Sequence, residues 1–378
     1  MERSGGIKAD EMVETRTPKR APVTVIAEAG VNHNGDLDTA RRLVEAASAA
    51  GADAVKFQTF STEALVTSDA SKAAYQAERT GGKEGQLEML ERLELSHENH
   101  RALKALCDAL DIEFLSTPFD AKSADFLAEE IGVARLKLPS GEITNAPLLL
   151  HVAQLGLPII LSTGMSTLDE VAAALGILAH GFSAATEPPN SIHSIEQGAI
   201  EGLVSKVTLL HCTSEYPAPL ADANLNVLPA MAARFGLPVG LSDHTPGHAA
   251  ALGAVALGAT VIEKHITLDK TMPGPDHGAS LEPKEFDALV SNLRDLEAAL
   301  GSSDKRPQAS ELGNREVARR SLVALRPIKS GEAFNPQNVG AKRPGTGLSP
   351  MLYWQVLGQR ALRDFESDEL ISLEPDQG

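Results

Sequence analysis

One repeated alternation constrains this chain more than any other feature. From residue 22, short apolar runs give way to longer amphipathic stretches, eight times over. The strand candidates are VTVIAEA (23–29), DAVKFQ (53–58), IEFLST (112–117), ARLKLPS (134–140), PIILST (158–163), VTLLHC (207–212), PVGLS (238–242) and TVIEKHI (260–266). Strands joined by helix-length connections run parallel, because a tight hairpin cannot join parallel neighbours. DLDTARRLVEAASAAGAD shows the helical half of one unit: Leu37, Ala40, Leu43, Val44 and Ala47 share a face, and Asp36 stands where an acidic N-cap belongs. Eight such pairs over roughly 280 residues predict an α/β protein built on an (β/α)8 barrel, a fold whose usual span is ~250 residues. An open doubly wound sheet is the competing architecture. It is disfavoured because no GxGxxG or GxxxxGK[ST] follows any of the runs.

The rest of the chain divides around that barrel. Residues 1–20 are mixed in charge and read as a disordered tail, with the barrel expected over 21–301. The stretch 59–86 is a long polar connection holding Tyr75 and Gly81-Gly82, a candidate lid. GSSDKRPQASELGN has no periodicity and reads as a linker over 302–314. From 315 to 378, short β-like runs punctuated by Gly and Pro predict a small β-rich domain. Its apolar positions are few, so packing against another chain would help stabilise it.

A formal net charge of −17 argues against nucleic acid or an anionic membrane as partner, so any anionic substrate must be held by local cations. Cys107 and Cys212 lie in apolar-periodic segments, match no metal spacing and are expected to be buried free thiols, which suits a reducing cytosol. The N-terminus lacks the apolar core of a signal peptide, and no run approaches the ~20 residues of a membrane span. A cytoplasmic protein is the expectation.

Chemistry in a barrel of this kind gathers at the C-terminal ends of the strands. Nearly every predicted strand ends in polar residues: Glu28; Lys56 and Gln58; Thr117; Lys137, Ser140 and Glu142; Ser162; Thr213 and Tyr216; Ser242, Asp243 and His244; Glu263 and His265. Any one of these fits an ordinary strand end near solvent, but a full ring does not. His244 and His265 end neighbouring strands and can bring two imidazoles onto one divalent metal ion, with positions left for water and substrate oxygen. A two-histidine site is incomplete for zinc and suits Mn²⁺ or Mg²⁺. Strand alternation points Glu263 the same way as His265, as an outer partner or a base. Lys56 and Lys137, with the hydroxyls of Thr117, Ser140, Ser162, Ser214 and Ser242, could hold a phosphate and a carboxylate, the two charged ends of phosphoenolpyruvate. In a ligand-free protein the two lysines are expected to pair with Glu28 and Glu142, two carboxylates suited to moving protons or offsetting positive charge.

Longer blocks carry a family likeness. VIAEAGVNHNGD, AGADAVKFQTF, LSTPFD, KLPSGE, LSTGM, HCTSEYPAP, VGLSDHTPG, EKHITLDKTMPGPDHGASLEP, ARRSLVA and KRPGTG run in order from about 24 to 370. They resemble the N-acetylneuraminate and N,N'-diacetyllegionaminate synthases. The resemblance implies a barrel followed by an antifreeze-like (SAF) domain, in a domain-swapped homodimer whose SAF domain completes the partner's active site. It implies a transferase condensing phosphoenolpyruvate with an N-acetylated hexose, N-acetylmannosamine or 2,4-diacetamido-2,4,6-trideoxymannose, by C–O cleavage. Residue by residue, it puts His244 and His265 at metal-ligand positions, and Lys56, Thr117, Lys137, Ser140, Ser162 and Ser242 at phosphoenolpyruvate positions. Glu28, Gln58, Tyr216 and Asp276 fall at sugar positions, Arg343 at the arginine presented by the other subunit, and Glu142 at a carboxylate stabilising the reacting centre. Some members carry Asn where this chain has Ser214. A Schiff-base pyruvate aldolase on the same barrel, using Lys137 or Lys56, is the alternative reading; a non-catalytic sugar-binding protein is a further one.

Overall fold

Each of the eight apolar runs is a strand in the computed structural model, which describes residues 21–81, 85–183 and 202–374. They are β1 (Thr24–Gly30), β2 (Ala54–Thr59), β3 (Glu113–Pro118), β4 (Leu136–Leu138), β5 (Ile159–Ser162), β6 (Val207–Cys212), β7 (Val239–Asp243) and β8 (Val261–His265). Parallel ladders join them in the order β3-β2-β1-β8-β7-β6-β5-β4, and β3 lies beside β4, which closes the barrel. β4 is shorter than its run predicts. Pro139 has no N–H to give a ladder, and the chain turns there into a 3-10 turn, Ser140–Glu142.

The interior explains the site's position. Ile26, Ala54, Leu115, Ile160, Leu210 and Val261 fill the barrel as one apolar plug. Side chains two residues further along a strand point the same way. Two residues past these six come Glu28, Lys56, Thr117, Ser162, Cys212 and Glu263, so the polar ring is the layer directly above the plug.

Outside the strands, amphipathic helices cover the barrel. Helix α1 (Leu37–Ala49) buries Ala40, Leu43, Val44 and Ala47, and Asp36 caps it by accepting from the Thr39 backbone N–H at 2.7 Å. The connection after β2 is not a plain loop. It holds short helices over Thr62–Leu65, Ala74–Thr80 and Gln86–Glu91, anchored by Val31, Phe60, Met89, Leu90 and Leu93. Gly82, like the tail 1–20, lies outside the described residues.

A second unit begins at Ser302. The run read as a linker carries a 3-10 turn at Ala309–Glu311 and leads into a helix over Leu312–Ala318. The Glu311 carboxylate accepts from the Gln308 backbone N–H at 2.9 Å and starts the turn, and LGNREVA is rich enough in helix formers to continue it. Beyond it, β9 (Ser321–Ala324) and β10 (Val339–Lys342) pair antiparallel, with single bridges at Val323–Leu370, Ile328–Phe365 and Ala333–Arg360. The β character lies in these short pairings around Leu322, Ile328, Phe334, Val339 and Phe365. Among the described residues, no helix is long and apolar enough to cross a membrane.

Candidate active site

At the barrel mouth, two lysines and two carboxylates are buried together. Lys56 Nζ lies 2.6 Å from Glu28 Oε2 and 3.7 Å from Glu263 Oε2, and donates to Thr117 Oγ1 at 3.1 Å. Lys137 Nζ donates to Ser162 Oγ at 2.7 Å and to the Leu138 carbonyl at 3.3 Å, and lies 3.7 Å from Glu263 Oε1. Glu263 Oε1 also accepts from Ser242 Oγ at 2.7 Å. The expected pairing of a lysine with Glu142 is therefore corrected: Glu263 is the carboxylate between the lysines. Glu142 sits half-buried on the turn after β4, where its Oε2 accepts from Asn145 Nδ2 at 2.6 Å.

Burial separates the two carboxylates. For Glu263, burial opposes ionisation, but Lys137 and Lys56 outweigh it and hold the group down to about 2. For Glu28, burial dominates over Lys56, and Glu263 pushes the same way as burial, so its value rises to about 7. One carboxylate is thus fixed as an anion while its neighbour titrates near neutrality. Gln58 Nε2 donates weakly to Glu28 Oε1, at 3.5 Å. Lys56 is held charged by Glu263 and Glu28 against burial, whereas burial prevails at Lys137 and lowers it.

Beside the lysines lies a small cradle. The Gly164 backbone N–H donates to Ser140 Oγ at 2.9 Å, and Ser140 Oγ is 3.0 Å from Cys212 Sγ. A Cβ on Gly164 would fall 2.4 Å from Ser214 Oγ and 2.8 Å from Cys212 Sγ, so only glycine lets this backbone approach. Ser140, Ser162, Ser214 and the lysines thus come together, as the sequence pattern grouped them. Cys212, read as a plain buried thiol, is buried and free but faces this cradle. The signal was available, because Cys212 is two residues beyond a plug residue.

The imidazoles form the other side. The ring centroids of His244 and His265 are 5.5 Å apart, at an interplanar angle of 61°. His244 Nδ1 lies 2.8 Å from the Thr213 carbonyl, so it carries the proton and leaves Nε2 with a lone pair. His265 Nδ1 is buried without a hydrogen-bond partner, 3.9 Å from Asp276 Oδ2. Burial holds both rings neutral, and at His265 the neighbouring His244 and Lys56 add to it. Two neutral, close imidazoles, of which His265 keeps a buried nitrogen without a hydrogen-bond partner, fit a divalent cation. Among the described residues no group of three or more His, Cys, Asp and Glu is arranged for a metal, so protein ligation would stop at these two. Tyr216 packs on both rings, 4.2 Å from His244 and 5.6 Å from His265. Asp276 is buried and raised by that burial to about 6, against the pull of Arg79.

Sequence reasoning missed a second buried pair, on the barrel's outer face. Lys264 Nζ binds Asp243 Oδ2 at 2.7 Å and donates to the Thr245 carbonyl, while Asp243 Oδ1 accepts from Thr245 N and Oγ1 at 2.9 and 2.7 Å. Each member precedes one histidine, so the pair fixes β7 against β8 beneath the two imidazoles. Arg343 belongs to the second unit, where it is exposed.

A closed parallel barrel with buried lysines, carboxylates and paired imidazoles at its C-terminal mouth defines a barrel enzyme acting on a small anionic molecule. Its family follows from comparison with known proteins: residues 43–305 match the NeuB family and residues 319–374 the SAF domain, and the chain belongs to the NeuB family. It is 46% identical over 347 residues to the N,N'-diacetyllegionaminic acid synthase of Campylobacter jejuni, covering 92% of this chain and 98% of that protein. It is likewise 46% identical over 336 residues to the enzyme of that name from Legionella pneumophila, covering 89% of each. Among solved structures, the N-acetylneuraminic acid synthetase of Leptospira borgpetersenii, crystallised with citrate, is 35% identical with a TM-score of 0.64, covering 78% of this chain and 90% of that one.

Proposed function

We propose that this chain condenses phosphoenolpyruvate with an N-acylated aminohexose, giving a nine-carbon 2-keto sugar acid and inorganic phosphate, and that it does so in the cytoplasm, where its two buried thiols stay reduced. The carrying observation is the buried juxtaposition of Lys56, Lys137 and Glu263 with the facing His244 and His265. Buried lysines of this kind require anions, and the hydroxyl cradle extends them to a phosphate. The names of the relatives support the reaction class.

Lys56, Lys137 and the Ser140, Ser162 and Ser214 hydroxyls hold phosphoenolpyruvate with its C3 toward the imidazoles. Gln58, Tyr216 and Asp276 orient the open-chain sugar so that its aldehyde carbon meets C3. Mn²⁺ or Mg²⁺ held by His244 and His265 would polarise the aldehyde oxygen. Carbon–carbon bond formation leaves positive charge at C2, which the fixed anion of Glu263 offsets. Water adds to C2, and Glu28, poised near neutrality, takes its proton. The C2–O bond then breaks, phosphate leaves with the bridging oxygen, and the 2-keto acid remains. We further propose a domain-swapped homodimer in which Arg343 of the partner subunit meets the sugar; mixing Arg343→Ala with Glu263→Gln subunits then restores part of the activity, and no restoration refutes the swap.

Phosphate release from phosphoenolpyruvate with each of the two candidate sugars tests the reading. Turnover should vanish on chelation and return with Mn²⁺ or Mg²⁺. Undiminished turnover after chelation would refute the cation's role, and a borohydride-stable adduct with pyruvate would instead support the aldolase.

A further inference from the structure

We propose that Arg79 and Tyr75 form a distal subsite that reads a second acylamido group on the sugar, making the acceptor a diacylamino rather than a monoacylamino hexose. This rests on the condensation proposed above. Both residues lie on the helix Ala74–Thr80, outside the ring of strand ends from which the reaction was read.

Two contacts tie that helix to the mouth. Tyr75 packs on Tyr216 with ring centroids 5.1 Å apart, and Tyr216 in turn covers His244 at 4.2 Å. The Arg79 guanidinium approaches Gly278 closely: a Cβ there would fall 1.7 Å from Nη1 and 2.5 Å from Cζ. Gly278 is two residues from Asp276, whose carboxylate feels the Arg79 charge and borders His265. From the imidazoles outward, the wall therefore runs through Tyr216 to Tyr75 on one side and through Asp276 to Arg79 on the other. An aldehyde carbon at the imidazoles puts the sugar's substituents several bonds away beside Tyr75 and Arg79.

The chemistry of that outer layer suits an amide. Arg79 forms no hydrogen bond or ion pair with another described residue, so its donors are uncommitted. A planar amide can lie on the Tyr75 ring while its carbonyl oxygen accepts from the guanidinium, whereas a bare hydroxyl offers less to both. Gly278 lets the guanidinium sit this low.

The test compares kcat/KM for 2,4-diacetamido-2,4,6-trideoxymannose and N-acetylmannosamine. The wild-type protein should prefer the diacetamido sugar. Arg79→Ala should raise the KM for that sugar about ten- to a hundredfold, the usual weight of a charge-assisted hydrogen bond, and leave the KM for phosphoenolpyruvate and the rate with N-acetylmannosamine nearly unchanged. Arg79→Lys should recover part of the loss. Gly278→Ala, which displaces the guanidinium without removing it, should reproduce the selectivity change. Equal losses for both sugars, or none for either, would overturn the subsite. Inactivity of the wild-type protein with both sugars would overturn the condensation itself, a separate result.

Discussion

Two buried lysine–carboxylate clusters share strand β8 and differ in how completely they are satisfied. On the outer face, Lys264 and Asp243 close on each other and on Thr245, and every oxygen of the Asp243 carboxylate has a partner. On the inner face, Lys56 Nζ approaches Glu28 Oε2 without hydrogen-bond alignment, Glu263 Oε2 has an ion pair at 3.7 Å but no hydrogen bond, and His265 Nδ1 has none either. Buried charge left in this state is costly. The outer cluster belongs to the fold, and the inner one is arranged for something that binds.

Mutations should separate the two. Glu263→Gln should lower kcat by about 10³-fold, within the range of charge and proton-transfer groups, at a smaller cost in stability than the outer pair exacts, because Lys56 keeps Glu28 as a partner. Lys264→Met should do the reverse. It leaves Asp243 buried and unpaired, so unfolding free energy should fall by about 3–5 kcal/mol in denaturant titrations. Equal stability losses from both substitutions would erase the distinction.

pH sharpens it further. The Glu28 value is raised from its ordinary 4.5 to about 7. Its contribution to stability is therefore fully present below pH 4.5 and declines as pH rises through 7, while its competence as a base grows over the same window. The kcat/KM profile should show an acid limb near pH 7, and Glu28→Gln should remove that limb and flatten the stability slope. A limb that survives the substitution assigns the base elsewhere. A smaller effect is expected at the cradle, where Gly164→Ala crowds Ser214 and Cys212 and should raise the phosphoenolpyruvate KM about tenfold with the sugar KM unchanged. Asp36→Ala, far from both clusters, should cost ~1 kcal/mol of stability and alter neither KM.

The contrast also shows what the sequence could convey. Eight apolar runs and the period of two placed Glu28, Lys56, Thr117, Ser162 and Glu263 in one layer, because strand alternation is geometric and local. Cys212 obeyed the same rule but was read by its chemistry alone. Pairing was less legible: that Lys137 faces Glu263 across the barrel, and not Glu142 nearby in sequence, depends on where β4 ends. The outer pair was invisible because a parallel strand buried on both faces gives no polar-out pattern to interrupt. Arg79 was hidden for another reason, since its neighbour Gly278 is about two hundred residues away in the chain and meets it only through the connection after β2.

The most direct test of the condensation uses phosphoenolpyruvate carrying ¹⁸O at the bridging oxygen, with the diacetamido sugar and Mn²⁺, and weighs both products by mass spectrometry. All of the label should appear in inorganic phosphate, with a nine-carbon keto acid that carries none. Label retained in the keto acid, or phosphate released with no sugar acid formed, would contradict it.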